Sequence, residues 1–329
     1  MIQELLIYNH TTFDPHYNIA LEKYLLEQVK PGQCILYLWQ NKNTVVIGRN
    51  QNAWVECRTG LLEEEGGILA RRLSGGGAVF HDLGNLNFTF LVRDEDYDVD
   101  RQLSVIQTAL RDFGILAEKS GRNDLLADGR KFSGNAFFHS QGHAYHHGTL
   151  LVDVDKDKLQ RYLTPPKAKL EAKGIQSVRS RVVNLKELAP ELTCDILRIH
   201  MCSAFSRVYG LPVKDFILPE EARQQILKSK QSLGSWDWCY GQRLPFSFAC
   251  EGRFPWGSIR LELQVESGAI RNVRTYSDSM DWEVSDLLNQ ALQNCRFDTD
   301  AMCQNLIQVL GQEDPVCADL CGLIRQQQL

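Results

Sequence analysis

Short β-rich segments closed by tight turns constrain this chain more than any other feature. Residues 34–39 (CILYLW) and 44–47 (TVVI) flank a polar stretch at 40–43, which predicts two strands joined by a tight turn. Residues 70–73 run into Ser74, Gly75, Gly76 and Gly77, and 78–81 and 87–92 read as two further strands with 82–85 as the turn between them. More strand-like pieces follow at 125–138 and 145–154, with Asp128 and Gly129 forming a strong hairpin signal. Residues 258–266 alternate apolar and polar as a half-buried strand does, Ser267 and Gly268 turn the chain, and 270–276 return. Helical spacing covers 13–29, where Asp14 followed by Pro15 fits an N-cap and first turn, and also 53–66, 101–113, 156–163, 184–207, 282–295 and 299–310. Strands joined mostly by short turns, with helices between groups of strands, argue an α+β fold rather than a regular βαβ repeat. The pattern changes around 229–247, where Pro245 breaks the run. This predicts a large domain with mixed sheets and flanking helices over residues 1–245 and a small α+β domain over 246–329.

Among 329 residues, 43% are hydrophobic, 23% are charged, and the net charge is -5, ordinary values for a globular chain. A nucleic-acid binder usually carries a basic excess, so no nucleic-acid partner is expected. The N-terminus lacks the basic, apolar and small-residue succession of a signal peptide. No run of about 18 apolar residues offers a membrane span, so a cytoplasmic chain without a membrane partner is expected, as a monomer. Ten cysteines at 34, 57, 194, 202, 239, 250, 295, 303, 317 and 321 are scattered without a CxxC pair, and reduced thiols are expected.

Four segments carry chemistry. The first is ARRLSGGGAVFHD, residues 70–82. Its three consecutive glycines let backbone N–H groups converge on a carboxylate or phosphate, and Arg71 and Arg72 add bidentate donors. A glycine-rich hairpin corner with solvated arginines is an equally good reading of the triplet alone. The second is Asn123 and Asp124 followed by DGRKFSGNA, residues 128–136. The Asp128–Gly129 turn should set Lys131 opposite Asn123 and Asp124, a pairing that suits a nucleotide phosphate and its metal, or an ordinary surface ion pair. The third is YHHGTLL, residues 145–151, in which His146 or His147 can contact a phosphate, polarise an acyl group, or be structural; with His139 and His143 they invite a metal reading that their spacing does not support. The fourth is AKGIQSVRSRVVN, residues 172–184, whose Lys173, Arg179 and Arg181 with the flexible Gly174 make either a loop closing on an anion or a solvated basic loop.

Taken together, RRLSGGGAVFHDLGNLNFTF, GRNDLLADGRKFSGNAF, HHGTLL and KGIQSVRSRVVNL, in that order, resemble the lipoate–protein ligase A family of the biotin/lipoate ligase superfamily, and FSFACEGRFPWGSIRLELQVESG resembles the start of that family's C-terminal accessory domain. The resemblance runs from about Asp14 to Tyr276. It implies a ligase-like large domain, an α/β fold shared with biotin ligases, with the acyl chain in a tunnel across a sheet, and a two-step reaction. ATP and lipoate (or octanoate) give an acyl-adenylate and pyrophosphate, and a lysine of a lipoyl-domain acceptor, a 2-oxoacid dehydrogenase E2 subunit or the glycine-cleavage H protein, then takes the acyl group. By this resemblance Lys131 is the catalytic lysine that contacts the acyl carbonyl and α-phosphate. Arg72 and the backbone of Ser74, Gly75, Gly76 and Gly77 hold the carboxylate and phosphates. Asn123 stands beside Asp124, which binds magnesium or the incoming lysine. Ala78, Val79, Phe80 and His81 fall in the base and tunnel region, Trp39 at the tunnel's far end, Ser133, Gly134, His147 and Gly148 beside the acyl site, and Ser177, Arg179 and Arg181 in the adenylate-binding loop.

The same superfamily contains lipoyl and octanoyl transferases that use lipoyl-AMP or a protein-bound acyl donor, some through a cysteine thioester. None of the ten cysteines falls in the glycine loop, the Lys131 segment or HHGTLL, and the accessory domain favours the ligase. A biotin ligase has a different glycine loop. A non-catalytic module would be expected to lose Lys131, Asp124 or the arginine–glycine run.

Overall fold

A computed structural model describes residues 1–9, 12–121, 123–164, 182–241 and 248–327. The chain divides into two compact units. One comprises Met1–Val46, Ala53–Arg71 and Ala78–Cys239, and the other Ile47–Asn52, Arg72–Gly77 and Tyr240–Leu329. The second unit therefore draws in two short segments from the N-terminal half, the second of them the glycine loop. The expected boundary at 245–246 falls among residues 242–247, outside the described residues.

The first unit is built on strands β1 (Glu4–Asn9), β2 (Gln33–Trp39), β3 (Thr44–Ile47), β4 (Ile68–Arg71), β5 (Val79–His81), β6 (Asn85–Arg93), β7 (Glu118–Ser120), β8 (Asp124–Ala127), β9 (Arg130–Ser140), β10 (His143–Leu151) and β11 (Val213–Asp215). Eight of them form one sheet in the order β11-β1-β2-β6-β10-β9-β8-β7, and β4-β3-β5 form a small separate sheet. β1 pairs in parallel with β2 and β11, and β2, β6, β10, β9 and β8 pair antiparallel. A parallel pair needs a crossover. The helix Pro15–Gln28 supplies it between β1 and β2, opened by Asp14, whose carboxylate accepts from the His16 and Tyr17 amides.

β2 and β6 are buried along nearly their whole length, because helices cover both faces of the sheet. Neighbouring residues on a strand point to opposite faces. On β10, His146 reaches Gln102 of the helix Val99–Arg111, and His147 reaches Glu22 of the helix Pro15–Gln28. These two helices therefore lie on opposite faces. The core on the His146 side packs Leu36, Leu38, Phe88, Phe90 and Val92 against Leu103, Ile106 and Leu110 and against Leu197, Met201 and Phe205 of the helix Cys194–Tyr209.

Several expectations are corrected in detail. Residues 34–39 and 44–47 are strands, but β2 and β3 belong to different sheets, as do β5 and β6, so the short segments between them are sheet-to-sheet crossings rather than hairpin turns. The expected helix over 184–207 is broken: a turn at Leu185–Glu187 precedes Pro190, and Thr193 caps a fresh start at Cys194. Proline cannot continue a helix from its amide side. The strands β1 and β11 and the helices Ala222–Leu233 and Pro315–Arg325 are elements beyond those expected from the sequence.

In the second unit β12 (Phe248–Phe254), β13 (Gly257–Glu266) and β14 (Ala269–Ser277) make an antiparallel meander. Ser267 and Gly268, at φ 52° and 74°, form its second turn. The helices Glu283–Leu292, Thr299–Leu310 and Pro315–Arg325 enclose a core of Leu261, Leu263, Ile270, Leu288, Leu292, Met302, Leu306 and Leu320.

Gly84 ties the ends of β6 and β10 together. Its carbonyl accepts from the Val152 and Asp153 amides at 3.0 and 2.9 Å, and a Cβ there would lie 2.0 Å from the Asp153 carbonyl oxygen. Gly84→Ala is expected to lower the unfolding free energy by about 1–3 kcal/mol, the usual scale of overpacking, as read from the midpoint of a urea titration.

Candidate functional site

The β8–β9 hairpin turns through Asp128 and Gly129 at φ 50° and 71°, the pair of positive angles that a two-residue type I′ turn requires. An irregularity between Leu125 and Leu126 shifts the register, so that Asp124 pairs with Gly134 and Leu126 with Lys131. Across this hairpin Lys131 Nζ and Asp124 Oδ1 stand 2.6 Å apart, with 35% and 36% of their side chains exposed. A third-exposed ion pair adds little to stability, so this one is available for chemistry. Gly134 leaves room for the lysine: a Cβ there would lie 3.0 Å from Lys131 Nζ. Ser133 is fully buried beside it, and its hydroxyl has no hydrogen-bond partner among the described residues. The Lys131 backbone is also held from the other side, by the Val183 amide at 2.9 Å.

Asn123, expected beside Asp124, is clamped to Asn135. Its side-chain amide donates to the Asn135 carbonyl at 2.8 Å, and its own carbonyl accepts from the Asn135 backbone and side-chain amides at 2.8 and 2.9 Å. Gly148 lies across the sheet from Asn135, and a Cβ on it would meet Asn135 Oδ1 at 2.8 Å and Phe88 at 2.7 Å. The closeness of these strands therefore demands glycine at 148.

A second cluster joins Trp39 and His147. Trp39 Nε1 donates to Thr89 Oγ1 at 3.1 Å, Thr89 donates to Glu22 Oε1 at 2.7 Å, and His147 Nδ1 meets the same carboxylate oxygen at 2.8 Å. Trp39 stacks on Tyr37 and meets the edge of His81. Glu22 is completely buried and its second oxygen has no partner among the described residues. Sequence reasoning missed Glu22 and Thr89. The available signal was a carboxylate at 22 on the same helical stripe as Ile19 and Leu26, since a charge on a buried stripe needs partners. Phe80 is buried against Tyr162, while Ala78 and Val79 are half-buried.

The glycine loop belongs to the second unit, where its polar groups are largely engaged with their own surroundings. The Arg72 guanidinium donates to Ser74 Oγ and to the carbonyls of Gly75 and Gly77. The Gly76 amide donates to the Ser279 carbonyl at 2.9 Å. Gly76 is at φ 87°, and a Cβ on Gly75 would lie 2.3 Å from that same Ser279 carbonyl oxygen. Ser74 is buried, whereas Gly77 is exposed and a Cβ there would meet nothing within 4 Å. Ser177, Arg179 and Arg181, with Lys173 and Gly174, lie outside the described residues.

The four histidines that invited a metal reading point to separate partners. His139 meets Asp94, His143 meets Arg93, His146 meets Gln102 and Asn135, and His147 meets Glu22. No group of three His, Cys, Asp or Glu side chains among the described residues is arranged to hold a metal ion. Asp124 offers one hard oxygen donor, which fits magnesium bound through a single carboxylate plus substrate phosphates and water. Burial pushes the thiols of Cys57 and Cys194 up to about 12 and that of Cys250 to about 11, so these are not thiolate nucleophiles near neutrality.

Burial among Phe88, Phe90 and Phe137 also pushes His146 down from 6.5 to about 3. An unfolded chain takes up this proton at the higher pH, so the stability linked to a neutral His146 is complete above 6.5 and is lost as pH falls toward 3. Urea titrations should show the stability advantage of the wild type over His146→Gln shrinking by on the order of 3 kcal/mol from pH 7 to pH 4. A constant advantage would mean that His146 is not held neutral.

Residues 14–206 match the lipoyl protein ligase A/B catalytic domain, and residues 244–314 match the bacterial lipoate protein ligase C-terminus. The chain is 42% identical over 303 residues to a lipoate-protein ligase A from Psychrobacter cryohalolentis, covering 90% of this chain and 89% of that one. The P. falciparum LipL1 crystal structure in complex with lipoate superposes with a TM-score of 0.85 at 29% identity, covering 98% and 99% of the two chains. A bipartite lipoate protein ligase from Thermoplasma acidophilum, studied with its E2 lipoyl domain, superposes with a TM-score of 0.65 at 25% identity, covering 75% of this chain and all (100%) of that one. A catalytic-domain match over more than half of its length and 42% identity across nine-tenths of it establish that the chain belongs to the lipoate–protein ligase A family.

Proposed function

We propose that the chain activates free lipoate, or octanoate, with ATP and attaches the acyl group to one lysine of a lipoyl-domain acceptor. The observation that carries this reading is the Lys131–Asp124 pair, set at 2.6 Å and left a third exposed. In the first step a carboxylate oxygen of lipoate attacks the α-phosphorus, the bond to the β-phosphate oxygen breaks, and pyrophosphate leaves. Negative charge grows on the α-phosphoryl oxygens, and the Lys131 ammonium offsets it. In the second step the neutral amine of the acceptor lysine attacks the acyl carbonyl, the bond between the acyl carbon and the phosphate oxygen breaks, AMP leaves with that electron pair, and the nitrogen gives up its proton to the departing phosphate or to water. Lys131 stabilises the developing oxyanion, and Asp124 receives or orients the incoming amine.

Asp124 is also the residue that would hold Mg2+, which neutralises phosphate charge when bound. Arg72 and the backbone of Ser74, Gly75, Gly76 and Gly77 bind the carboxylate and phosphates. To do so they exchange the hydrogen bonds that Arg72 now makes within the loop and that the Gly76 amide makes to Ser279. Trp39, Ala78, Val79, Phe80, His81, Asn123, Ser133, Gly134, His147 and Gly148 line the lipoate and adenylate site, and Ser177, Arg179 and Arg181 belong to its binding loop. A mixed anhydride hydrolyses readily, so these residues must also keep water out. Residues 1–245 form the adenylation and transfer domain and residues 246–329 the accessory domain. The acceptors are the E2 subunits of 2-oxoacid dehydrogenases or the H protein, and the enzyme works in the cytoplasm as a monomer. Among the described residues no helix is long and apolar enough to cross a membrane.

Intact-mass spectrometry of a purified lipoyl domain, incubated with the protein, ATP, Mg2+ and free lipoate, should show one added lipoyl group. The group should be absent without ATP and absent when the acceptor lysine is replaced by arginine. Transfer only from synthetic lipoyl-AMP would make the protein a relay transferase, and no transfer from either donor would remove the reading. Lys131→Ala should lower the transfer rate by about a hundredfold or more, on the scale of lost preorganised charge stabilisation, while its thermal midpoint stays within about 2 °C of the wild type.

A further inference from the structure

A line of buried side chains leads from the helix Val99–Arg111 to the residue preceding Asp124. Gln102, His146 and Asn135 are 0%, 0% and 5% exposed. The Gln102 amide lies 3.1 Å from His146 Nδ1, and His146 Nε2 lies 2.9 Å from Asn135 Oδ1. Asn135 Nδ2 then donates to the Asn123 carbonyl at 2.9 Å.

The protons in this line can be assigned from its far end. Asn135 Nδ2 faces a carbonyl, so Asn135 Oδ1 must accept from His146, and His146 Nε2 carries the hydrogen. A buried ring held neutral has a lone pair on Nδ1. With Gln102 Oε1 toward that lone pair, two acceptors would face each other and Gln102 Nε2 would be left without a partner, a costly arrangement in a core. Exchanging the two ends of the Gln102 amide gives Nδ1 a donor and leaves the unpartnered place to the amide oxygen, a less costly orphan in a core than an N–H group. Every bond then runs one way, from Gln102 through His146 and Asn135 to the Asn123 carbonyl.

We propose that Gln102, His146 and Asn135 form a one-directional hydrogen-bond relay that fixes the Asn123–Asp124 step, and that His146, as its Nε2–H tautomer, is a positioning residue for the Lys131–Asp124 pair. The relay ends on the peptide group that joins Asn123 to Asp124. Among the described residues, the hydrogen bonds that clamp Asn123 to β9 run to Asn135, by its carbonyl and its side-chain amide, and Lys131 stands on the same strand. Losing the relay would let the Asp124 carboxylate drift relative to the ammonium without emptying the core, since Phe88, Phe90 and Phe137 pack around the ring from other directions.

The inference rests on the reading of Lys131 as the adenylating lysine for its kinetic consequence but not for its structural one, and the test separates the two. Long-range 1H–15N spectra of the full chain labelled with 15N-histidine should show His146 protonated at Nε2 and bare at Nδ1, unchanged from about pH 5 to 8, where an unshifted histidine titrates. An Nδ1–H tautomer, or a ring that titrates in that range, would overturn the relay whatever the enzyme does. Hydrogen exchange of the Asn135 amide, which donates to the Asn123 carbonyl, should quicken by about tenfold or more in His146→Phe and return toward the wild-type rate in His146→Gln, whose amide can donate to Asn135. In the lipoate-dependent exchange of pyrophosphate into ATP, His146→Phe should lower kcat by about tenfold or more, the usual scale for an outer partner of a site residue. KM for ATP and lipoate should stay within about threefold, and His146→Gln should recover most of kcat. A His146→Phe variant with wild-type amide exchange, or one whose loss falls on KM alone, would contradict the positioning role. A wild type that shows the expected tautomer and catalyses no exchange would instead refute the ligase reading and leave the relay standing.

Discussion

The candidate site depends on one backbone constraint, the two-residue turn at Asp128 and Gly129. Both residues take positive φ, a conformation that glycine adopts freely and aspartate tolerates better than most side chains. That turn starts the pairing that sets Lys131 opposite Leu126, and from there its side chain reaches along β8 to Asp124, where the two charges stand 2.6 Å apart. The remaining features maintain this distance. Gly134 clears space for the lysine chain, Asn135 clamps Asn123, and Gly148 leaves room for the Asn135 side-chain oxygen. A pair that adds little to folding is thus held by groups whose burial makes their hydrogen bonds expensive to lose.

β10 carries the second constraint. Two adjacent histidines sample both faces of one sheet, and each finds a polar partner on a different helix. His146 joins the core under the helix Val99–Arg111 and leads toward Asn123. His147 joins Glu22, Thr89 and Trp39 on the other face. Buried polar side chains are tolerated only when their partners are in place, so the registers of β6, β9 and β10 are fixed by hydrogen bonding as well as by apolar packing. The site residues on these strands inherit that precision from the sheet.

Much of this was readable from local chemistry. Asp14 as an N-cap, the Asp128–Gly129 and Ser267–Gly268 turns, and the approach of Lys131 to Asp124 all follow from residue types acting over a few positions, and all are present. What local chemistry could not supply was partnership at long range. Residues 34–39 and 44–47 look like one hairpin, yet they pair into different sheets, because pairing depends on distant strands. Glu22 shares its helical stripe with Ile19 and Leu26, but the partners that this burial requires, Thr89 and His147, come from distant strands. The glycine loop pointed to free amides and a free guanidinium, but Ser279 and the loop's own carbonyls occupy Arg72 and the Gly76 amide. Pro190, by contrast, was a local signal for the interruption before Cys194.

The central claim is that the chain makes an acyl-adenylate before any acceptor is present. The direct measurement is the exchange of labelled pyrophosphate into ATP by the purified chain with Mg2+ and free lipoate, without a lipoyl domain. The account predicts exchange that requires lipoate and disappears in Lys131→Ala. Exchange that proceeds equally without lipoate, or none at all from a folded protein, would contradict it.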